Sequence, residues 1–387
     1  MTAPPRRPVL RAFITAAAIV ALAWVAGGQA LLGRIDPALA VPLLAPAMLV
    51  LAWWQRGEPA AARRRACLLA LAFVAITQAL LGLMLAASAA WQQLVLTIMA
   101  GGIAAVLADG VVQWRSRSRL LPWCAGTMLA IGWIGAGHAL LAVLYKPTSA
   151  SAGAPAVTML TGLPLRWSAS PNIAAMIDEG TNDDPALARL TAAGPVSLVD
   201  SVADHVPPAG GALLIAHPRA LAPQELVAID AFVRGGGRAV VLADALSGWP
   251  ARQPLGDPRN APITSLLTPL LDHWGVTLGA APAHESKPLR VDVDGARLDL
   301  FSAGRLERLP STCRAYADRR VALCRIGQGE VWLIGDADVL FAPLWQPLVP
   351  GAAHLRQADT MEWLSARLWR GAGNSLLHPL WIRARTS

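Results

Sequence analysis

Five long apolar stretches fill the first 145 residues, and beyond them the pattern changes to short apolar runs set between amphipathic segments. The long stretches read Ala12–Leu32, Pro37–Trp54, Ala66–Ala86, Trp91–Trp114 and Leu120–Tyr145. Each suffices to cross a hydrocarbon layer of about 30 Å, for which about 20 residues are enough. Trp53, Trp54, Trp91, Trp114, Trp123 and Tyr145 stand near their ends, where an aromatic belt meets the headgroups. Pro42 and Pro46 lie in the second stretch, a kink that neighbouring helices can absorb. The first stretch is long for a signal-peptide core and is expected to be retained.

After a Pro/Ser/Ala/Gly linker over 146–155, the period shortens. Strands are expected at Ala156–Leu160, Val196–Val199, Ala212–Ala216 and Ala239–Ala243. Helices are expected at Ile173–Ile177, Pro185–Ala193, Pro223–Arg234 and Ile263–Trp274. Apolar strands alternating with helices imply an open, mostly parallel sheet covered on both faces. Two hairpins follow. Asp294-Gly295 joins Leu289–Val293 to Ala296–Phe301, and Gly327-Gln328-Gly329 joins Arg320–Ile326 to Glu330–Ile334. A last helix is expected over Leu355–Trp369, leaving a tail at 374–387 whose apolar run is too short for a sixth crossing. The expected organisation is a five-helix transmembrane region (1–145), a linker, an α/β domain (156–373) and a tail.

Charge adds sidedness to this picture. The chain is formally +8, and all of that excess falls within residues 1–145, while 146–387 balances to zero. Arg6, Arg7 and Arg11 precede the first stretch; Arg56, Arg63, Arg64 and Arg65 separate the second from the third; Arg115, Arg117 and Arg119 separate the fourth from the fifth. The other two gaps hold Arg34 beside Asp36 and an uncharged turn around Ser88. Basic loops stay cytoplasmic, so the N-terminus is expected inside and everything after Tyr145 outside the cytoplasm. The basicity is thus a topology signal and no nucleic-acid partner is expected. The scarcity of lysine against arginine reads as a coding bias of bacterial type, which places the protein in a bacterial inner (plasma) membrane.

Two ionisable groups fall inside the stretches. Asp109 is expected to reach the interface and pair with Arg115 or a neighbouring arginine, and His138 to bond a neighbouring helix as a neutral imidazole. Gly101-Gly102 and Gly135-x-Gly137 permit close helix contact. In the second half, Cys313 and Cys324 flank a hairpin arm and are expected to form a disulfide in an oxidising compartment. They lack the further ligands of a zinc site.

Much chemistry is excluded. The two lysines, Lys146 and Lys287, follow no glycine-rich loop, so the chain holds no Walker A motif. Gly327-x-Gly329 precedes a strand and is a turn, not a dinucleotide cradle. No G-x-S-x-G or G-x-C-x-G elbow occurs. Asp292-x-Asp294-Gly295 lacks the remaining ligands of a calcium loop. No cofactor and no metal are expected. What remains is a candidate ligand edge at the strand C-termini, formed by Asp200, His217, Asp244 and Asp336. An Asp–His pair there can do acid–base work, although Asp at strand ends also caps turns and helices.

The runs Leu213-Leu-Ile-Ala-His-Pro-Arg-Ala-Leu-Ala-Pro-Gln-Glu-Leu and Ala231-Phe-Val-Arg-Gly-Gly-Gly-Arg-Ala-Val-Val-Leu-Ala-Asp resemble the auxiliary component of gliding-motility-type ABC transport systems. Gly327-Gln-Gly-Glu-Val-Trp-Leu-Ile-Gly-Asp-Ala-Asp resembles the strand that closes the same domain. The resemblance implies an extracytoplasmic class I glutamine-amidotransferase-like, flavodoxin-like fold without the amidotransferase nucleophile. It also implies separate ABC ATPase and permease subunits as partners, beside the lipid bilayer. Where that family generally carries one helix before the domain and one after, this chain carries five before it. Two readings follow: a non-catalytic binding or scaffolding subunit, and an extracytoplasmic hydrolase or amidotransferase-like enzyme working through the strand-end Asp and His residues. A hydrogen bond of His217 to Asp200 or Asp244 in an open cleft would favour the second.

Overall fold

The computed structural model describes residues 6–86, 90–114, 120–167 and 182–383, apart from 252, 255, 258, 284 and 286. The expected helix Ile173–Ile177, the turn around Ser88 and the basic stretch around Arg115, Arg117 and Arg119 lie outside the described residues. The chain divides into two compact units. The first comprises residues 1–146, 347–356 and 375–387, and the second 147–346 and 357–374.

The first unit is a bundle of apolar helices: α1 (Arg6–Val25), the short α2 (Gln29–Leu32), α3 (Val41–Trp54), α4 (Ala60–Leu81), α5 (Trp91–Gln113) and α6 (Leu120–Leu144). Five of the helical segments are long and apolar enough to cross a membrane. The first ends earlier than its hydropathy implies. Gly28 takes a left-handed φ of 81°, which breaks the expected Ala12–Leu32 span at Val25 and leaves α2 as a separate turn. The third span ends in a π-helical turn, Gly82–Ala86.

Helix α3 is the most enclosed of the five and packs against α1, α5 and α6. Glycines set two of the close crossings. A Cβ on Gly101 would meet Leu71 at 2.2 Å, and one on Gly137 would meet the Pro42 backbone at 3.0 Å. Segments from late in the chain return to this bundle. Ile35 N–H donates to Leu380 O (2.9 Å) and Ile382 N–H to Gly33 O (3.1 Å), so the tail pairs with the Arg34 loop. The tail therefore lies at the end of the bundle opposite the basic loop Arg56–Arg65.

The second unit is built on a seven-stranded sheet. In chain order the strands of this unit are β1 (Val157–Thr161), β2 (Arg166–Trp167), β3 (Asn182–Asp183), β4 (Val196–Val199), β5 (Ala212–Ala216), β6 (Arg238–Leu242), β7 (Thr277–Leu278), β8 (Leu289–Val293), β9 (Ala296–Leu300), β10 (Leu306–Arg308), β11 (Cys313–Tyr316), β12 (Val321–Ile326) and β13 (Gly329–Ile334). The large sheet runs β11-β12-β13-β6-β5-β1-β4. The stretch β13-β6-β5-β1-β4 is parallel, and β11-β12-β13 is antiparallel. By order of appearance the parallel strands lie 2-1-3-4-5, an order of doubly wound sheets.

Successive side chains of a strand face opposite sides, and both sides are covered. Met159, Leu214, Val240 and Ile334 pack with α7 (Pro185–Ala193) and α10 (Thr360–Leu368). Leu160, Leu213, Val241 and Leu333 pack with α8 (Pro223–Arg234) and α9 (Thr268–His273).

Helix α9 is shorter than the expected Ile263–Trp274. Pro269 lacks an N–H and is tolerated only in a first turn, so the helix begins at Thr268. The expected Leu355–Trp369 helix begins at Thr360, because the Asp359 backbone N–H is held by Arg297 O at 2.8 Å. Both hairpins form. Asp294 (φ 57°) and Gly295 (φ 79°) supply the two left-handed residues of a type I′ turn.

Candidate functional site

The parallel strands deliver their C-terminal residues to one edge. Main-chain bonds continue past the strands: His217 N–H donates to Leu242 O (2.9 Å), and Ala243 N–H to Ile334 O (2.8 Å). His217 after β5, Asp244 after β6 and Asp336 after β13 are therefore neighbours in order. The turn Gly335-Asp336-Ala337-Asp338 adds a further carboxylate. Only glycine fits at its start, since a Cβ on Gly335 would lie 2.1 Å from Gly304 O.

Asp244, Asp336 and Asp338 are fully or almost fully buried, and a carboxylate oxygen from each lies within 4.8 Å of the others. Their hydrogen bonds run mostly inward, to the main chain. Asp336 accepts from Phe301 N–H and Asp338 N–H, both at 2.7 Å. Asp338 accepts from Gly248 N–H at 2.6 Å, and Asp244 Oδ1 from Leu246 N–H at 3.2 Å. Among the described residues no partner meets the hydrogen-bond geometry at Asp244 Oδ2, although Ala337 N–H and the Ser247 hydroxyl lie close enough to the carboxyl to favour its charge.

Burial, and then the charge of Asp338, pushes the Asp244 carboxyl up to about 8. Burial pushes Asp338 to about 6, and burial with its two neighbours raises Asp336 well above the carboxylate range. Like charges this close cannot all ionise, so the trio holds protons at neutral pH. Three carboxylate oxygens at this spacing are also the donor set a hard divalent cation takes. The main-chain donors already bound to Asp336 and Asp338, and the absence of solvent exposure, favour shared protons.

His217 is fully buried in a left-handed conformation (φ 46°), and its Nε2 lies 2.7 Å from Pro262 O. Burial lowers its pKa, so the ring is neutral and donates through Nε2, leaving Nδ1 without a partner among the described residues. Among the described residues no hydrogen bond joins His217 to Asp200 or Asp244. Asp200 is exposed after β4, at the far edge of the sheet. The structure thus brings Asp244 and Asp336 together, places His217 beside them without a bond, and leaves Asp200 apart.

Asp338, two residues beyond Asp336 in the same turn, completes the trio, and no strand-end pattern in the sequence marks it. Beside the edge opens a cavity of about 480 Å³, with Arg219, Ser247, Trp249, Asn260 and Pro262 on its walls. Ser247 links it to the trio through Asp338, at 3.5 Å.

The other sequence candidates fall as follows. Cys313 and Cys324 are bonded, directly opposed across β11 and β12. Cys67 and Cys124 are free. Asp109 on α5 accepts from Arg63 Nη2 at 2.9 Å, Arg64 Nε at 3.0 Å and Gln113 at 2.6 Å. The neighbouring arginines therefore come from α4.

His138 on α6 is itself exposed and contacts not a neighbouring long helix but His354 in the 353–355 turn, Nδ1 to Nε2 at 3.0 Å, at the margin of a buried polar network that the sequence did not reveal. In it Tyr145 donates to Asp36 (2.5 Å), Gln29 donates to Asp36 O (2.8 Å), Arg356 donates to Tyr145 O (3.2 Å) and Arg34 donates to His354 O. His354 is held down at about 4, first by burial and then by its neighbours His138 and Arg34, so it is neutral here. This network fastens the 347–356 segment to the bundle.

Fold and site together define a membrane protein whose second unit is a doubly wound α/β domain with a sealed carboxylate edge. Residues 192–293, from just before β4 to the end of β8, match the model of the ABC transport auxiliary family, described as an ABC-type uncharacterized transport system, which bears out the resemblance carried by the β5–β6 motifs. No match was found among curated proteins. Among solved structures, an exo-beta-1,4-mannosidase from Opitutaceae bacterium strain TAV5 is 14% identical, with 56% of this chain and 36% of that chain covered, at a TM-score of 0.32. The beta-galactosidase from Rahnella sp. R3 is 14% identical, with 61% and 35% covered, at 0.30. The chain spans about a third of the length of these glycosidases. Similarity at this level says nothing of what this chain does.

Proposed function

We propose that the protein is a non-catalytic auxiliary subunit of an ABC-type transport system. Its five helices (1–145) lie in a bacterial inner membrane. A linker (146–155) leads to an α/β domain (156–373) outside the cytoplasm, which binds or scaffolds a partner, and a tail (374–387) returns to the bundle. The observation that carries the reading is the family match over residues 192–293.

Physical features support its details. The basic loop Arg56–Arg65 and the tail lie at opposite ends of the bundle, as expected of a chain with arginines held inside. The Cys313–Cys324 disulfide suits an oxidising compartment. The 2-1-3-4-5 strand order is compatible with a glutamine-amidotransferase-like domain. A catalytic centre needs nucleophile, base and orienting group within hydrogen-bond reach. Here His217 is bound to a main-chain carbonyl and the carboxylates serve main-chain amides, which supports a binding role at the 480 Å³ cavity.

The test is affinity purification of the full chain from native membranes in mild detergent. A separate ABC ATPase and a permease are expected to co-purify in fixed ratio. Recovery of the chain alone, under conditions that preserve other ABC complexes of the same membranes, would overturn the reading.

A further inference from the structure

A second cavity, of about 1060 Å³, lies in the helical bundle at its basic end. It is slightly larger than the roughly 300–1,000 Å³ of most small-molecule sites. Its walls come from α1, α3 and α6 and the loop after α3. They are apolar along Leu49, Val50, Ala130 and Ile131, and bear tryptophans near the mouth, where Trp53 and Trp123 stack at 4.1 Å.

The rim carries two arginines, Arg11 and Arg56, against one half-buried carboxylate, Glu58, and so is net positive. Arg11 donates to Trp54 O at 3.0 Å and lies 5.3 Å from the Trp54 ring centre, which fixes its guanidinium at the mouth. Arg56 is exposed beside it. Among the described residues no carboxylate lies within ion-pair distance of either arginine. By contrast Arg63 and Arg64, nearby in sequence, are both paired with Asp109. A third observation is independent of charge. Gln55 lines the cavity, is 1% exposed, and among the described residues has no hydrogen-bond partner for either its Oε1 or its Nε2. An unpartnered buried amide costs about 1–3 kcal/mol, so it marks a place where a polar group of a ligand belongs.

We propose that this cavity is a binding site for one anionic diacyl glycerophospholipid. Its phosphate sits between Arg11 and Arg56, its glycerol-ester region against the Gln55 amide, and an acyl chain along α3 and α6. The order of chemistry fits such an amphiphile: cationic rim, aromatic and amide collar, apolar wall. Basic pockets between membrane helices on the cytoplasmic side bind anionic headgroups by the same physics. The inference rests on the membrane placement proposed above and is independent of any ABC partner.

The test is native mass spectrometry of the intact chain in mild detergent with equimolar phosphatidylglycerol and phosphatidylcholine. One phosphatidylglycerol is expected to be retained with at least about tenfold preference, since each arginine near a headgroup adds about 1 kcal/mol. The Arg11→Gln/Arg56→Gln double variant is expected to lose that preference. Ala130→Trp, which fills the apolar wall, is expected to weaken retention of the single lipid while leaving the rim charge intact. A measurement on the unaltered protein runs alongside: phosphatidylglycerol should raise its melting temperature more than phosphatidylcholine does. Equal retention of both lipids by the unaltered protein would mean an unspecific annulus and overturn the proposal. So would an unchanged preference in the double variant, or displacement of the lipid by millimolar inorganic phosphate, which would make the site one for a free anion. A failed ABC co-purification would leave these results unaffected.

Discussion

The two units bury carboxylates in opposite ways. In the helical bundle Asp109 meets two arginines, and its side chain and that of Arg63 are 7% and 8% exposed. In the α/β unit Asp244, Asp336 and Asp338 meet one another. The first arrangement keeps a charge ionised where solvent is scarce. The second expels charge by holding protons, and satisfies the remaining lone pairs from main-chain amides. The difference follows from what each location supplies. Helix interfaces present side chains alone, because their amides are already bonded, and so a buried acid there needs a side-chain cation. Strand ends present free amides, and so acids there can tie loops together.

The cysteines divide the same way, with free thiols in the bundle and a bonded pair in the α/β unit.

The largest expected effect breaks the first arrangement. Asp109→Ala leaves the Arg63 guanidinium buried without its partner and should destabilise the bundle by about 3–5 kcal/mol. Thermal unfolding of the purified chain in detergent measures it, and a loss below about 1 kcal/mol would show that the pair is not what holds α4 to α5.

Next comes the protonated trio. Asp244 at about 8 and Asp338 at about 6 lie above the ordinary 3.8, so the native state holds more protons than the unfolded chain between those values. The stability they contribute is complete below about pH 4 and is lost as pH rises through about 8. Unfolding at about pH 5 and about pH 9 should differ by on the order of 3 kcal/mol, with Asp244→Asn flattening the dependence. A melting temperature that rises over this range, or a slope unchanged in Asp244→Asn, would remove the shared-proton account.

The disulfide ranks third. Replacing Cys313 and Cys324 together by Ser should cost the α/β unit about 2–3 kcal/mol, read as a lower melting temperature that reducing agent reproduces in the unaltered protein and not in the variant.

The smallest effect supplies the baseline. Arg166 and Asp183 pair at 2.7 Å with side chains 46% and 30% exposed, and Arg166→Ala should change stability by less than about 1 kcal/mol. If that pair proved as costly to break as Arg63–Asp109, burial would not be what separates the two units.

Features whose cause is local in sequence could be read before the structure. The α8 boundaries follow from Pro223 at one end and Gly235 at the other, the type I′ turn from Asp294-Gly295, and the apolar helices from hydropathy alone. Cys313 and Cys324 were legible because the hairpin that pairs them is short. Features made by distant residues were not. Asp36, Tyr145, His138, His354 and Arg356 carry no shared motif, and the hydrogen bond from Arg34 to His354 spans 320 positions. His217 resembled a catalytic base because it follows a strand beside an aspartate series. Its left-handed backbone and its bond to Pro262 O are set by tertiary packing that no local pattern encodes. Asp338 was in view within Gly-Asp-Ala-Asp, but only the turn at 338–340 shows that it folds back beside Asp336.

Sidedness underlies the proposed role, the oxidised cystine and the lipid site at the basic end. Fusions of alkaline phosphatase and of a green fluorescent protein after Ser387, compared in living bacterial cells, test it most directly. An active phosphatase with a dark fluorescent fusion is the result expected. A bright fluorescent fusion with an inactive phosphatase would place the α/β unit in the cytoplasm and contradict the account.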